Sequence, residues 1–238
     1  MKTILHTANS RGHAEHGWLN SYHTFSFAGY HNEERHSFGL LRVLNDDTVA
    51  AGMGFGKHPH DNMEIVSIPL SGDLHHQDST GRDKIIKQGD VQIMSAGSGI
   101  AHSETNANHD KEVKFLQIWV FPKKRNIEPR YDQRTFLPEN RQNQLLTVVA
   151  PDDDHAVWIN QDAWFTLGNL GKGFETTYQT HLPENGIYAF VIKGDVTING
   201  IALNERDGLG ITETEALNIT ADNDAELLLM EVPMKLKN

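Results

Sequence analysis

Residues 56–64 read GKHPHDNME, with His58 and His60 at positions i and i+2, Pro59 between them and Glu64 four residues on. On a helix, neighbours two apart are separated by about 200° and cannot share one ion. On a strand they project to the same face. If these histidines chelate, the segment is a strand. Pro59 disfavours a central hydrogen-bonded position but is tolerated at a strand start or a bulge. A second pair with the same spacing, His102 and Glu104, lies in GIAHSETN, behind Gly97 and Gly99, which suit a tight turn into the strand. Two such pairs on neighbouring strands, facing inward, give three imidazoles and a carboxylate. That donor set suits one divalent first-row ion.

The rest of the chain agrees with strands. Short or alternating apolar runs bounded by Gly, Asp and Asn recur, as in FGLLRVLNDD (38–47), FLQIWVFP (115–122) and YAFVIKGDVTING (188–200). Their spacing is that of a β-sandwich or barrel. An apolar strand ending in Gly-Asp occurs twice, at 65–74 and 188–198, and each copy is followed by a second such segment, IKQGDVQIM and NERDGLGIT. This points to two copies of one β-module. A polar, proline-bearing stretch, 123–144, separates them. The expected division is a metal-binding domain over 1–132, a linker over 133–140 and a second domain over 141–238. Twelve of the fourteen histidines precede residue 110, so the chemistry is assigned to the first module.

The chain has 238 residues, 38% hydrophobic and 22% charged, with a net charge of −11. It is long enough for a real core. Without a basic block it is a poor candidate for direct nucleic-acid binding. The absence of cysteine excludes disulfides, thiolate metal ligands and a cysteine nucleophile. No stretch reaches the length of a membrane span, and the first residues lack a signal-peptide apolar run. A cytoplasmic protein is expected.

Residues 52–106 resemble the two motifs of the cupin superfamily. The stretches RGHAEHGWLNSYHTFSF, FGLLRVLNDD, GFGKHPHDNMEIV, GDLHHQDSTG, GDVQIMSAGSGIAHSE and LQIWV resemble, more closely, the pirin family. The resemblance implies an all-β bicupin: two double-stranded β-helix, jelly-roll-like barrels in one chain. Strand parity alone leaves Glu64 open as a ligand. The family takes its carboxylate from the second motif, which implies the ligand set His58, His60, His102 and Glu104. Glu64 is then a neighbouring polar group, displaced by a bulge at Pro59. Iron is the first expectation for the metal, with zinc, manganese, nickel, cobalt or copper as the others. Matching the Gly-Asp turns of the two modules puts Thr180, Leu182 and Ile219 where His58, His60 and His102 stand, so no metal is expected in the second.

Among the remaining candidates, Gln117 shares parity with Phe115 and Trp119 and either faces the cavity or is a core amide. Phe55 and Trp119 either line a pocket or pack a core. At most one of the adjacent His75 and His76 can face the site, and both read as a solvated hairpin end. The resemblance implies a metal-dependent dioxygenase that cleaves flavonols such as quercetin with O2, Glu104 serving as base. The alternative is a non-enzymatic, metal-binding regulator that docks on a protein partner. A monomer is expected.

Overall fold

The computed structural model describes residues 1–236, which are almost entirely β. No helix is long and apolar enough to cross a membrane. The strands form two lobes, each a seven-stranded sheet facing a four-stranded one. The two lobes share one plan. In the first, the four-stranded sheet runs Gly54–His60, Ile100–Asn106, Leu74–Asp78, Asp83–Ile86; in the second it runs Glu175–Gln179, Ala216–Ala221, Val196–Ile198, Ile201–Leu203. The internal repeat inferred from the Gly-Asp turns is thus carried through the order of the sheets. Gly72 and Gly194, at those turns, have φ of 73° and 75°. A Cβ at Gly194 would stand 2.2 Å from a backbone carbonyl oxygen, so the turn requires glycine.

Strand pairing departs from the expected boundaries at both ends of the first domain. Lys2–His6 pairs with Gly208–Thr212 and is the edge of the second lobe's sheet. Arg130–Thr135 enters the expected linker and pairs with Asp90–Ser95 as the corresponding edge of the first. The second lobe therefore borrows its outer strand from the start of the chain, while the first lobe, Gly12–Thr135, extends its continuous stretch into the expected linker. The sequence RYDQRT hides this strand because an edge strand is half solvated on both faces and shows no apolar alternation.

The pleat decides what each face carries. Along Val113–Val120, Leu116, Ile118 and Val120 point toward the second lobe and join the largest apolar core, which lies between the seven-stranded sheets and includes Phe165, Phe190, Leu228 and Met230. Phe115, Gln117 and Trp119 point the other way, into the first lobe. The second lobe's own interior is a continuous apolar core that includes Ile187, Val191, Leu217, Ile219 and Leu229. Among the described residues, the first lobe's interior holds two small apolar clusters, one around Phe115 and one around Ile65 and Met94.

The same pleat corrects the placement of Glu64. It opens strand Glu64–Ser71 after a turn at Asn62 (φ 48°) and shares parity with Val66 and Ile68, which lie in the inter-lobe core. Its carboxyl accepts hydrogen bonds from Ser95 Oγ (2.7 Å) and from the Asn160 N–H (3.1 Å) of the other lobe. It is fully buried and does not line the histidine cavity. Even parity held along one unbroken strand, but the chain turns between His60 and Glu64.

Burial pushes the Glu64 carboxyl up from its ordinary 4.5 to about 7, against the pull of Ser95, Asn160 and Arg130. A raised folded-state value means that stability is complete below the unfolded-state value and is lost as pH rises through about 7. Relative to Glu64→Gln, the wild-type unfolding free energy should fall by roughly 3 kcal/mol between pH 4.5 and 8. Denaturant titrations across that range measure it.

Candidate metal centre

Gly54–His60 is an edge strand paired antiparallel with Ile100–Asn106. His102 stands directly opposite His58, and Ile100 opposite His60. Along Ile100–Asn106 the residues alternate: Ile100, His102, Glu104 and Asn106 are buried, while Ala101, Ser103 and Thr105 are partly exposed. The i, i+2 spacing therefore puts His102 and Glu104 on one inward face. The turn behind them is built by Gly97 (φ 50°), where a Cβ would stand 2.1 Å from the Ile127 carbonyl oxygen. The register slips between His102, opposite His58, and Glu104, opposite Phe55. The extra residue of this bulge falls at Gly56–Lys57, not at Pro59 as expected. Pro59 is accommodated instead by the edge position, where a missing N–H is tolerated.

The three imidazoles converge, with ring centroids 4.6 to 4.9 Å apart. One ligand atom from each of His58, His60 and His102 lies within 4.8 Å of the others. His58 Nδ1 donates to the Gly56 carbonyl at 2.7 Å, which fixes the tautomer and leaves the Nε2 lone pair free. His60 Nε2 and both ring nitrogens of His102 are buried without a protein partner. Burial, reinforced by the neighbouring imidazoles, pushes His60 down to about 4 and His102 to about 2, so both are neutral near pH 7. Neutral, unpartnered, convergent nitrogens beside a buried carboxylate fit a divalent transition metal, which supplies the partner they lack.

Glu104 is held from behind. Ser67 Oγ donates to Oε1 at 2.9 Å and Gln117 Nε2 to Oε2 at 2.6 Å. Burial raises its carboxyl, opposed by Ser67, by the nearby His76 and His58, and by Gln117. Gln117 is thus the clamp on Glu104, and Ser67, which the sequence reading missed, is the second half of it.

His76 corrects the expectation of a solvated hairpin end. His75 does face outward, paired with Asp83 at 2.6 Å. His76 is completely buried, opposite Glu104 in register, and its Nε2 lies 3.1 Å from Asp78 Oδ2. With His102 and Glu104 it forms a second group whose ligand atoms lie within 4.8 Å of one another. The available signal was parity with Leu74, an apolar residue two positions earlier that is buried on the same face.

The histidines open onto a cavity of about 400 Å³. Phe55 and Trp119 line it, together with Trp18 and Phe27. Trp119 packs edge-on against His60 (4.9 Å) and Phe27 (5.4 Å), and Phe55 against Trp18 (5.4 Å). Aromatic rings therefore form part of the cavity lining beside the histidines. In the second lobe, pairing sets Thr176 opposite Ile219, where the first has His58 opposite His102. Thr180, the expected counterpart, lies just beyond that strand.

The Pirin family model matches residues 5–120, and one described as a quercetinase C-terminal cupin domain matches 147–232. The chain is 44% identical over 230 residues to the quercetin 2,3-dioxygenase of Escherichia coli, covering 96% of this chain and 98% of that protein. It is 40% identical over 222 residues to a pirin-like protein of Caulobacter vibrioides, covering 92% and 95%. The crystal structure of the bacterial pirin YhhW from Escherichia coli in complex with nickel(II) superposes with a TM-score of 0.92 at 42% identity, over 98% of this chain and 99% of that one.

In the metal-free protein, His60 and His102 should keep neutral-imidazole resonances as the pH falls from 8 to 5, while an exposed histidine protonates near 6.5. Histidine-selective NMR over that range checks this.

Proposed function

This chain belongs to the pirin family, and from that premise we propose that its first lobe binds one divalent transition metal through His58, His60, His102 and Glu104 and cleaves flavonols of the quercetin type with dioxygen. The observation that carries this reading is the convergence of unpartnered imidazole nitrogens on a cavity of about 400 Å³ lined in part by aromatic rings. A cavity of that size suits a small planar substrate, which favours the enzyme over a regulator that acts only by docking. The name of the Escherichia coli relative supports the same substrate class.

When bound, the metal supplies Lewis acidity that lowers the pKa of a chelated enol and holds the reactants together. The residues of the chain do the rest. His58, its Nδ1 bonded to the Gly56 carbonyl, converges with the neutral His60 and His102, which present lone pairs without first losing a proton. Glu104 takes the proton of the flavonol 3-hydroxyl. Its burial, which raises its carboxyl, makes it a better base than a solvated glutamate. Ser67 and Gln117 keep that carboxylate aimed as it changes protonation. Trp119 and Phe55 lie against the rings of the substrate and exclude water. In the overall reaction both atoms of dioxygen enter the product, a depside, and the carbon that bore the 3-hydroxyl leaves as carbon monoxide.

Protein purified without added metal should contain about one transition metal per chain, and His58→Ala should contain little; equal content in the two would remove the ligand assignment. With iron, manganese, cobalt, nickel, copper or zinc loaded in turn, at least one form should consume flavonol and release carbon monoxide in air. Turnover by none of them rejects the activity. Glu104→Gln should lower kcat by about 100-fold or more. His76→Phe, which leaves all four proposed ligands in place, should weaken metal retention about ten-fold, as loss of a supporting group does.

A further inference from the structure

The wall of the cavity farther from the histidines is polar and unused by the chemistry above. Asn45 and Asp47, on strand Leu41–Val49, and His23, on strand Leu19–His23, all line the cavity and are 2%, 4% and 3% exposed. Ser21 Oγ donates a short hydrogen bond to Asp47 Oδ1. Asn45 Oδ1 and His23 Nδ1 are buried without a partner among the described residues. A buried polar atom left unpaired is destabilising, and here two lie together on one wall, beside the Asp47 carboxyl.

These groups continue a row that begins at the metal centre. Across the sheet, Ser67 pairs with Gln117, Gln117 with Asn45, and Asn45 with His23. Ser67 and Gln117 hold Glu104, so the unpaired members start one strand beyond the proposed chelating end of a substrate. Strands stand about 4.8 Å apart, which places His23 roughly 10 Å from Gln117. Phe27 packs edge-on against His23, 5.2 Å away, so aromatic wall and polar strip run out side by side. Burial pushes the Asp47 carboxyl up to about 7, with the Ser21 hydroxyl pulling it down, so near neutrality it can either accept or donate.

We infer that Asp47, Asn45 and His23 form a hydroxyl-reading subsite, which selects flat aromatic substrates bearing hydroxyl groups on the part remote from the metal. Phenolic hydroxyls donate and accept one hydrogen bond each, and the wall offers an acceptor at Asn45 Oδ1 and an atom of either kind at Asp47 and His23. An aromatic lacking those hydroxyls leaves the wall desolvated and unpaired, the arrangement that discriminates strongly against the poorer ligand. This inference rests on the flavonol reading and adds to it which flavonols are taken.

The test is anaerobic binding to the nickel-loaded protein, read from the spectral shift of a flavonol whose 3-hydroxyl is chelated. The ligands are a polyhydroxylated flavonol and two analogues, each stripped of the hydroxyls of one ring. The wild type should bind the full flavonol at least about ten-fold more tightly than one of the analogues. Asp47→Asn and Asn45→Ser should each reduce that preference several-fold, with nickel content and affinity for the stripped analogue unchanged. Asn45→Ser leaves the Ser21–Asp47 bond untouched and stands in should Asp47→Asn not fold. Equal affinity of the wild type for all three ligands, or variants that weaken all three alike, would overturn the subsite while leaving the metal reading intact. A wild type that chelates none of them removes both.

Discussion

His58 and His102 face each other across one antiparallel strand pair, and the centre depends on that pairing. Each belongs to an i, i+2 pair, and a strand can aim both members inward only if its register is held. A slip of one residue would turn His102 and Glu104 out to solvent and bring Ser103 into the barrel. Several features hold the register. Gly54 allows the edge strand to approach the Glu104 carbonyl, from which a Cβ would be only 2.4 Å away. The bulge at Gly56–Lys57 places a carbonyl under His58 Nδ1. The turn at Gly97 and Gly99 starts the partner strand. The rest of the site follows: His76 stands opposite Glu104 on the next strand, and Gln117 and Ser67 reach Glu104 from the facing sheet.

The two lobes show what that scaffold does with different fillings. Matching strand orders enclose an apolar interior in the second lobe and a polar one in the first. A barrel that buries histidines, a glutamate and an aspartate in place of leucine and valine gives up hydrophobic stabilisation of roughly 2 kcal/mol for each large side chain and carries desolvation costs as well. The apolar sheet faces pressed together between the lobes offset this. The borrowed N-terminal strand ties the lobes further: His6 Nδ1 lies 2.9 Å from Tyr188 Oη, and the Ala8 N–H donates to Asp207 Oδ1 at 2.7 Å. The second lobe thereby supports the chemistry of the first without supplying any of the proposed ligands.

Much of this was legible in the sequence, and what was not has identifiable causes. Strand periodicity and the Gly-Asp turns marked an all-β chain with a repeated module. The spacing of His58, His60, His102 and Glu104 marked the face they share. Parity, however, describes a residue only relative to its own strand. It left Glu64 open because the turn at Asn62 could not be seen, and that turn sends its side chain between the lobes. It allowed one of His75 and His76 to face inward without saying that either did. Ser67 and Asp47 are unremarkable residues in apolar strands, and their roles arise from cross-strand neighbours far away in the chain. Lys2–His6 and Arg130–Thr135 escaped assignment because edge strands lack the alternation that betrays buried ones.

By itself the sequence determined what is local and periodic: the β class, the two modules, the resemblance to pirins, and a donor set of three imidazoles and a carboxylate at strand spacing. These follow from side-chain chemistry and the two-residue repeat of an extended chain. Only the tertiary structure decided which polar residues come together. It brought Glu104 against Ser67 and Gln117, drew His76 in beside it, sent Glu64 to the inter-lobe core and lined a wall with Asp47, Asn45 and His23. The reason is physical: desolvation, convergence and the pairing of buried polar groups depend on contacts between strands distant in sequence, and those exist only once the sheets have closed.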